Sequence, residues 1–166
     1  MERIFARIAW FIGLALVQVL IFNKVCLFGV ATPFVYVYFI LLLDRDVNRN
    51  ALMLMAFALG LVIDVFNNTP GVNASASVLV AFLRPGLLQL FAPRDEFDSF
   101  EPGIHVMGIW PYVRYALLVV LLHHAVLFIL EAFSFVCIEF LLLRILCSTL
   151  LTVMLLMAVE FIRHKK

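Results

Sequence analysis

Charge is missing from this chain over long intervals. No Asp, Glu, Lys or Arg occurs from Ile8 to Asn23, Val25 to Leu43, Ala51 to Ile63, Val65 to Leu83, Tyr115 to Leu130 or Ile145 to Val159. A water-facing helix or strand breaks its apolar stretches with polar positions on a regular period, whereas a bilayer-spanning helix needs about 20 consecutive apolar residues. The 166 residues are 66 % hydrophobic and 14 % charged, against roughly 25 % charged in globular domains. Mean hydropathy is +1.13, and a soluble fold is excluded. The pattern predicts an all-α integral membrane protein with six transmembrane helices in one bundle, over 4–22, 25–43, 51–66, 72–92, 112–136 and 138–162. A polar cytoplasmic loop occupies 93–111. Six spans take about 120 positions, which leaves no separate soluble domain. The net charge of +1 gives no basic field for nucleic acid.

Punctuation refines the spans. Arg3 and Arg7 imitate the basic start of a secretory signal, but no small-x-small cleavage site follows, and the first helix is expected to be retained. Pro33 lacks an amide donor, so it should kink the second run or mark an outer segment leading into a shorter span. Asn67-Asn68-Thr69-Pro70-Gly71 reads as a tight uncharged turn. Arg84 and Pro85 close the best part of the fourth run, with 86–92 either extending it or lying in the interface. Six crossings bring every Lys and Arg except Lys24 and the intramembrane Arg144 to the side of the termini. The positive-inside rule makes that side cytoplasmic. Trp10, Trp110, Tyr112 and Tyr115 then fall at the same boundary, where an aromatic belt is expected. Cys26, Cys137 and Cys147 match no disulfide or metal framework.

Ionisable groups inside a span cost at least about 2.5 kcal/mol on insertion scales, so each needs a packed partner or a function. Asp64, His123, His124, Glu131 and Arg144 qualify. Glu131 and Arg144 flank the turn near Cys137 at similar depth, about 10 Å below it at 1.5 Å per residue, and are expected to pair. That pair either fixes helix register or meets a partner. His123 and His124 point about 100° apart on a helix and do not converge on one ion as His at i and i+4 can, so an interior polar or packing role is expected and no metal site is assigned, with a metal or proton-relay role as the alternative. Asp64 closes a helix, where a carboxylate opposes the helix dipole unless donors receive it. The free N–H groups of the next helix, with Asn67, Asn68 and Thr69, are the natural donors; contact with a partner is the alternative. No GxSxG, Walker loop, Ser–His pair of recognisable spacing or magnesium-binding carboxylate cluster occurs. No enzymatic activity and no cofactor is expected.

Three segments carry a family likeness: Gly60-Leu61-x-x-Asp64 at a helix end, Pro70-Gly71-x-x-Ala74 at the re-entry, and Phe82-Leu83-Arg84-Pro85 closing the fourth helix. With six spans in a small chain, they resemble the rod shape-determining MreD family of bacteria. This sequence lacks the residue that many such proteins place between the proline and the glycine, and its acidic loop is longer. The resemblance implies a non-enzymatic component of the cell-elongation machinery in the bacterial cytoplasmic membrane. Its partners would be an MreC-like single-span protein, an MreB-like filament and peptidoglycan synthases. Asp64, Pro70, Gly71, Arg84, Glu131 and Arg144 become structural or partner-contact candidates. Gly60, Gly71, Ala74, Ser75 and Ser77 are small enough for close helix approach, within the chain or to a partner. MreD-like chains are also similar to the S subunits of energy-coupling factor transporters, which supplies the rival expectation of a vitamin-binding subunit.

Overall fold

The computed structural model describes residues 2–92, 100–132 and 137–164. Its helices are α1 (Glu2–Leu20), α2 (Tyr38–Leu42), α3 (Arg49–Asn67), α4 (Val72–Phe91), α5 (Ile104–Met107), α6 (Ile109–Ala132) and α7 (Ile138–His164). Among the described residues five helices are long and apolar enough to cross a membrane: α1, α3, α4, α6 and α7. Several such helices are compatible with a multi-pass membrane protein.

The run expected to form a helix over 25–43 does not. Residues 27–31 close a tight turn with Phe28 and Gly29 at φ 55° and 71°, Leu27 and Ala31 bonding each other's backbone. A 3-10 turn over Val35–Val37 then leads into the five-residue α2. Pro33 has no N–H and pushes Thr32 away from helical geometry, and the β-branched Val30, Thr32, Val35 and Val37 add to the bias. The turn of this broken segment is exposed, with Phe28 wholly so, but its second half is the longest continuously buried stretch among the described residues, with Phe34 to Leu43 all interior.

It runs antiparallel to α1: Gln18 meets Pro33, Val35 and Tyr36, the Phe11 and Trp10 rings meet Phe39 and Tyr38, and Arg7 pairs with Asp44. The chain therefore returns to its starting end before α3 begins. At that end Arg163 of α7 pairs with Glu101, Tyr38 bonds Glu160, and Arg45 N–H donates to Phe100 O at 3.0 Å. Both ends of the described chain lie there, at what is called below the near end.

The antiparallel α3 and α4 turn through Asn68 and Gly71, both left-handed at φ 56° and 83°. Their contact is close because a Cβ on Gly60 would lie 2.6 Å from Ala74 Cα. Helix α4 continues through Pro85 to Phe91, and α6 starts at Ile109, before the expected residue 112. Of the expected polar loop, 93–99 lies outside the described residues. In the remainder Ile104 and Met107 of α5 are buried and Ile104 N–H donates to Glu160, while Glu101, His105 and Gly108 are exposed. The aromatic belt also needs correction, since Tyr112 and Tyr115 are fully interior while Trp110 is exposed. The end of the fifth expected span, 133–136, and Lys165 and Lys166 fall outside the described residues.

Candidate functional site

A bundle that keeps broken backbone in its core must satisfy that backbone with side chains. Gln18, wholly buried on α1, accepts from Val35 N–H at 2.8 Å and Tyr36 N–H at 3.4 Å and donates to Pro33 O at 3.1 Å. From α7, one turn apart, Ser148 accepts from Thr32 N–H at 3.0 Å and Thr152 from Phe34 N–H at 3.1 Å. The other end of the segment falls to α4. Arg84, 1 % exposed, donates to the carbonyls of Leu41, Leu43 and Asp44. The Leu41 and Leu43 carbonyls lie at the end of α2 with no following helical turn to bond them, and the Asp44 carbonyl also accepts from Val47 N–H at 3.4 Å. Arg84 is therefore the cap of a helix distant in sequence. Its planar fork of donors suits three converging oxygens in a way a lysine does not.

Asp64 is the hub of the far end. Its Oδ1 accepts from Thr69 Oγ1 at 3.0 Å and from Asn73 N–H and Nδ2 at 2.9 Å each, and its Oδ2 accepts from Ala74 N–H at 2.9 Å. The carboxylate sits on the free N–H groups that start α4, where the helix dipole favours a negative charge. Pro70 and Gly71 form the turn that aims α4 at it; neither side chain takes part in the network. Among the polar turn residues, Thr69 supplies a bond to the carboxylate, and Asn68 takes the left-handed C-cap with its N–H on the Asp64 carbonyl.

From Asp64 the bonds run inward with a defined direction. Asn73 gives its NH₂ to Asp64, so its Oδ1 is free to accept from the Tyr36 hydroxyl at 3.0 Å. Having donated, the Tyr36 oxygen accepts from His123 Nε2–H at 2.8 Å, which leaves His123 Nδ1 as an unprotonated acceptor. His124 belongs to a separate branch. Its Nδ1–H donates to Val120 O at 2.7 Å, and its Nε2 accepts from Thr152, 3.3 Å away. Their ring centroids are 5.6 Å apart, and among the described residues no group of three or more potential ligands surrounds a metal position.

Glu131 and Arg144 meet at 3.2 Å across the last turn, with Arg144 over the Phe128 ring. They are not deeply buried: their side chains are 38 % and 31 % exposed. They form the rim of a cleft of about 280 Å³ at the far end, lined also by Asn23, Thr32, Asn67, Thr69 and Asn73, with Phe34 and Leu127 as apolar walls. The structure thus brings Asp64 and His123 into one network with Tyr36 and Asn73, and holds Arg84, His124 and the Glu131–Arg144 pair in separate contacts.

Sequence reasoning missed Gln18, Tyr36, Asn73, Ser148, Thr152 and Glu160 in this interior. Gln18 had a signal, as the one strongly polar side chain between Ile8 and Phe22. Glu160 is 2 % exposed and carries Tyr38, Ile104 N–H and Arg163; its place beside the closing basic residues concealed it. Comparison with protein-family models, with curated proteins and with solved structures finds no match to this chain.

Proposed function

We propose that the chain is a non-enzymatic membrane scaffold of a bacterial cell-elongation complex, of the MreD kind. It lies in the cytoplasmic membrane with both termini cytoplasmic, binds the transmembrane segment of a single-span MreC-like protein, and couples an MreB-like filament to peptidoglycan synthases directly or through that partner. The observation that supports binding is a groove of about 740 Å³ between α1 and α7. Ala6, Ala9 and Gly13 pave one wall and Ala158 stands on the other, with Val35 of the broken segment among the lining residues. Its lining runs along α1 from Ala6 to Val17, about 17 Å at 1.5 Å per residue, or three turns of helix, with Phe22 of the following turn closing its far end. The lining side chains are apolar, which gives a soluble ligand nothing to orient it. Small residues instead let a second helix backbone approach closely.

The test is capture of an MreC-like protein from membranes in mild detergent, with Gly13→Leu as the variant. No atom lies within 4 Å of a Cβ placed at Gly13, so the leucine fills the groove without disturbing the bundle. Loss of capture is expected; undiminished capture overturns the reading. Depletion in a rod-shaped host should give rounded, widened cells.

The far-end cleft favours a second reading, an S subunit of an energy-coupling factor transporter. A polar cleft of about 280 Å³ approaches the size of small-molecule sites. Normal rods with a vitamin requirement on depletion, and stoichiometric recovery of an ATPase module in place of the MreC-like protein, would select it.

A further inference from the structure

A second groove, of about 480 Å³, lies between α3 and α4 and opens away from the bundle, where Phe57, Leu79 and Phe82 are exposed. Met53 and Phe57 form its α3 wall and Leu79 and Phe82 its α4 wall, with Ala74 and Ser75 at its far-end foot. The Ser75 hydroxyl donates to Gly71 O at 2.6 Å, so the lining offers a ligand no free polar group. Its depth follows from the register of the two helices. Ala74 packs on Gly60, and the rise along α3 from Arg49 to Gly60 is about 16 Å at 1.5 Å per residue. That is about half of a hydrocarbon core about 30 Å thick, the depth of a single leaflet.

The head of this groove carries a fixed cation. The exposed Arg49 guanidinium lies over the Phe82 ring, 4.0 Å from its centroid, and donates through Nε and Nη2 to Phe82 O at 3.1 and 2.7 Å. A guanidinium has five N–H donors, and the Phe82 carbonyl takes two. Among the described residues no carboxylate pairs with Arg49, whereas Arg7 and Arg163, next in sequence to lining residues of the α1–α7 groove, pair with Asp44 and Glu101. We propose that the α3–α4 groove holds an acyl chain of an anionic glycerophospholipid whose phosphate sits on Arg49. The chain fills an apolar slot one leaflet deep, and the phosphate meets a cation at the level where headgroups begin. A guanidinium presents paired donors that match two phosphate oxygens. The stack and the Phe82 bonds hold the side chain in place beforehand, so little of its freedom is lost on binding. A partner helix suits this groove less well, because its walls are bulky where the α1–α7 groove is paved with Ala and Gly, and an apolar helix brings nothing for Arg49.

The experiment reconstitutes the full chain into vesicles of phosphatidylethanolamine and phosphatidylglycerol, extracts it in mild detergent and counts retained lipid by native mass spectrometry. Phosphatidylglycerol should be retained in preference to phosphatidylethanolamine. Arg49→Gln should lower that retention about fivefold, and Arg49→Lys should restore part of it. Arg114→Gln, which removes an exposed cation of α6 outside the groove, should leave it unchanged. Ser75→Leu grows into the foot of the groove and should lower retention of either lipid. Equal retention of the two lipids by the wild type, or undiminished retention in Arg49→Gln, overturns the proposal. So does a loss in Arg114→Gln as large as that in Arg49→Gln, which assigns the effect to the charge of the whole near end. Recovery of a lipid-free dimer also overturns it and gives the groove to a second copy. Should Arg49→Gln not fold, wild-type retention in Ser75→Leu is the refuting result.

Discussion

Asp64 lends itself to a worked prediction because its four bonds differ in what can replace them. In Asp64→Ala the Thr69 hydroxyl and the Asn73 side chain lose their acceptor but still have each other, since they already lie 3.1 Å apart. The N–H groups of Asn73 and Ala74 are fixed by α4 and have no second partner. Two stranded buried donors, at about 1–3 kcal/mol each, give a loss of about 2–6 kcal/mol. Asp64→Asn keeps one acceptor oxygen for Thr69 and Asn73 and turns an NH₂ toward Ala74 N–H, so one backbone donor is stranded and faces a second donor, at the upper end of about 1–3 kcal/mol. Equilibrium unfolding in lipid–detergent micelles should therefore rank wild type above Asn and Asn above Ala. An Ala variant within about 1 kcal/mol of wild type would refute the capping account and turn attention to Asp64 as a contact for a partner. An Asn variant as damaging as Ala would show that charge, not the count of donors, decides.

Gly60→Ala places a methyl group 2.6 Å from the Ala74 backbone, so α3 and α4 must separate; the overpacking cost is about 1–3 kcal/mol, measured in the same assay. Glu131→Gln should cost under about 1 kcal/mol, the range of a solvent-screened pair, and exchanging the charges of Glu131 and Arg144 should recover what is lost. Arg84→Lys should be nearly as destabilising as Arg84→Leu, because a point charge cannot serve three carbonyls spread over Leu41 to Asp44. Folded yield in membranes reports both.

How far the sequence predicts this architecture depends on whether a residue's partner is near it in the chain. Asp64 was legible because its donors lie within ten residues, and a helix end followed by a turn and a second helix start fixes who meets whom. Glu131 and Arg144 were legible for the same reason, as a depth argument across one turn. Gln18 and Thr152 were not, and Arg84 stood out only through the family likeness and without its partners, because each serves backbone far along the chain, and no local rule says that a given apolar run will break and need them. Pro33 signalled the break. What it did not signal is that the broken piece is the core: its apolar composition suits a lipid-facing helix and a protein-enclosed segment equally. Tyr112 and Tyr115 misled in the same way, because an amphipathic ring near a span end fits either the interface or an interior lined with polar groups.

The broken segment also sets the geometry of the groove. Gln18 ties α1 to Val35 and Tyr36, while Ser148 and Thr152 tie α7 to Thr32 and Phe34, so the two walls are spaced by residues 32–36 lying between them. On the proposed reading, a partner helix seated there would sense that spacing although it would touch none of the bonds. Gln18→Leu keeps the volume and the burial of the side chain but strands Val35 N–H and Pro33 O, at about 1–3 kcal/mol each, and frees α1 to shift. Its expected outcome is loss of MreC-like capture from a bundle that still folds, with Gln18→Glu, which retains the acceptor for Val35 and Tyr36, recovering part of it. Capture at the wild-type level by a measurably destabilised Gln18→Leu protein would show that the groove does not depend on the segment between its walls.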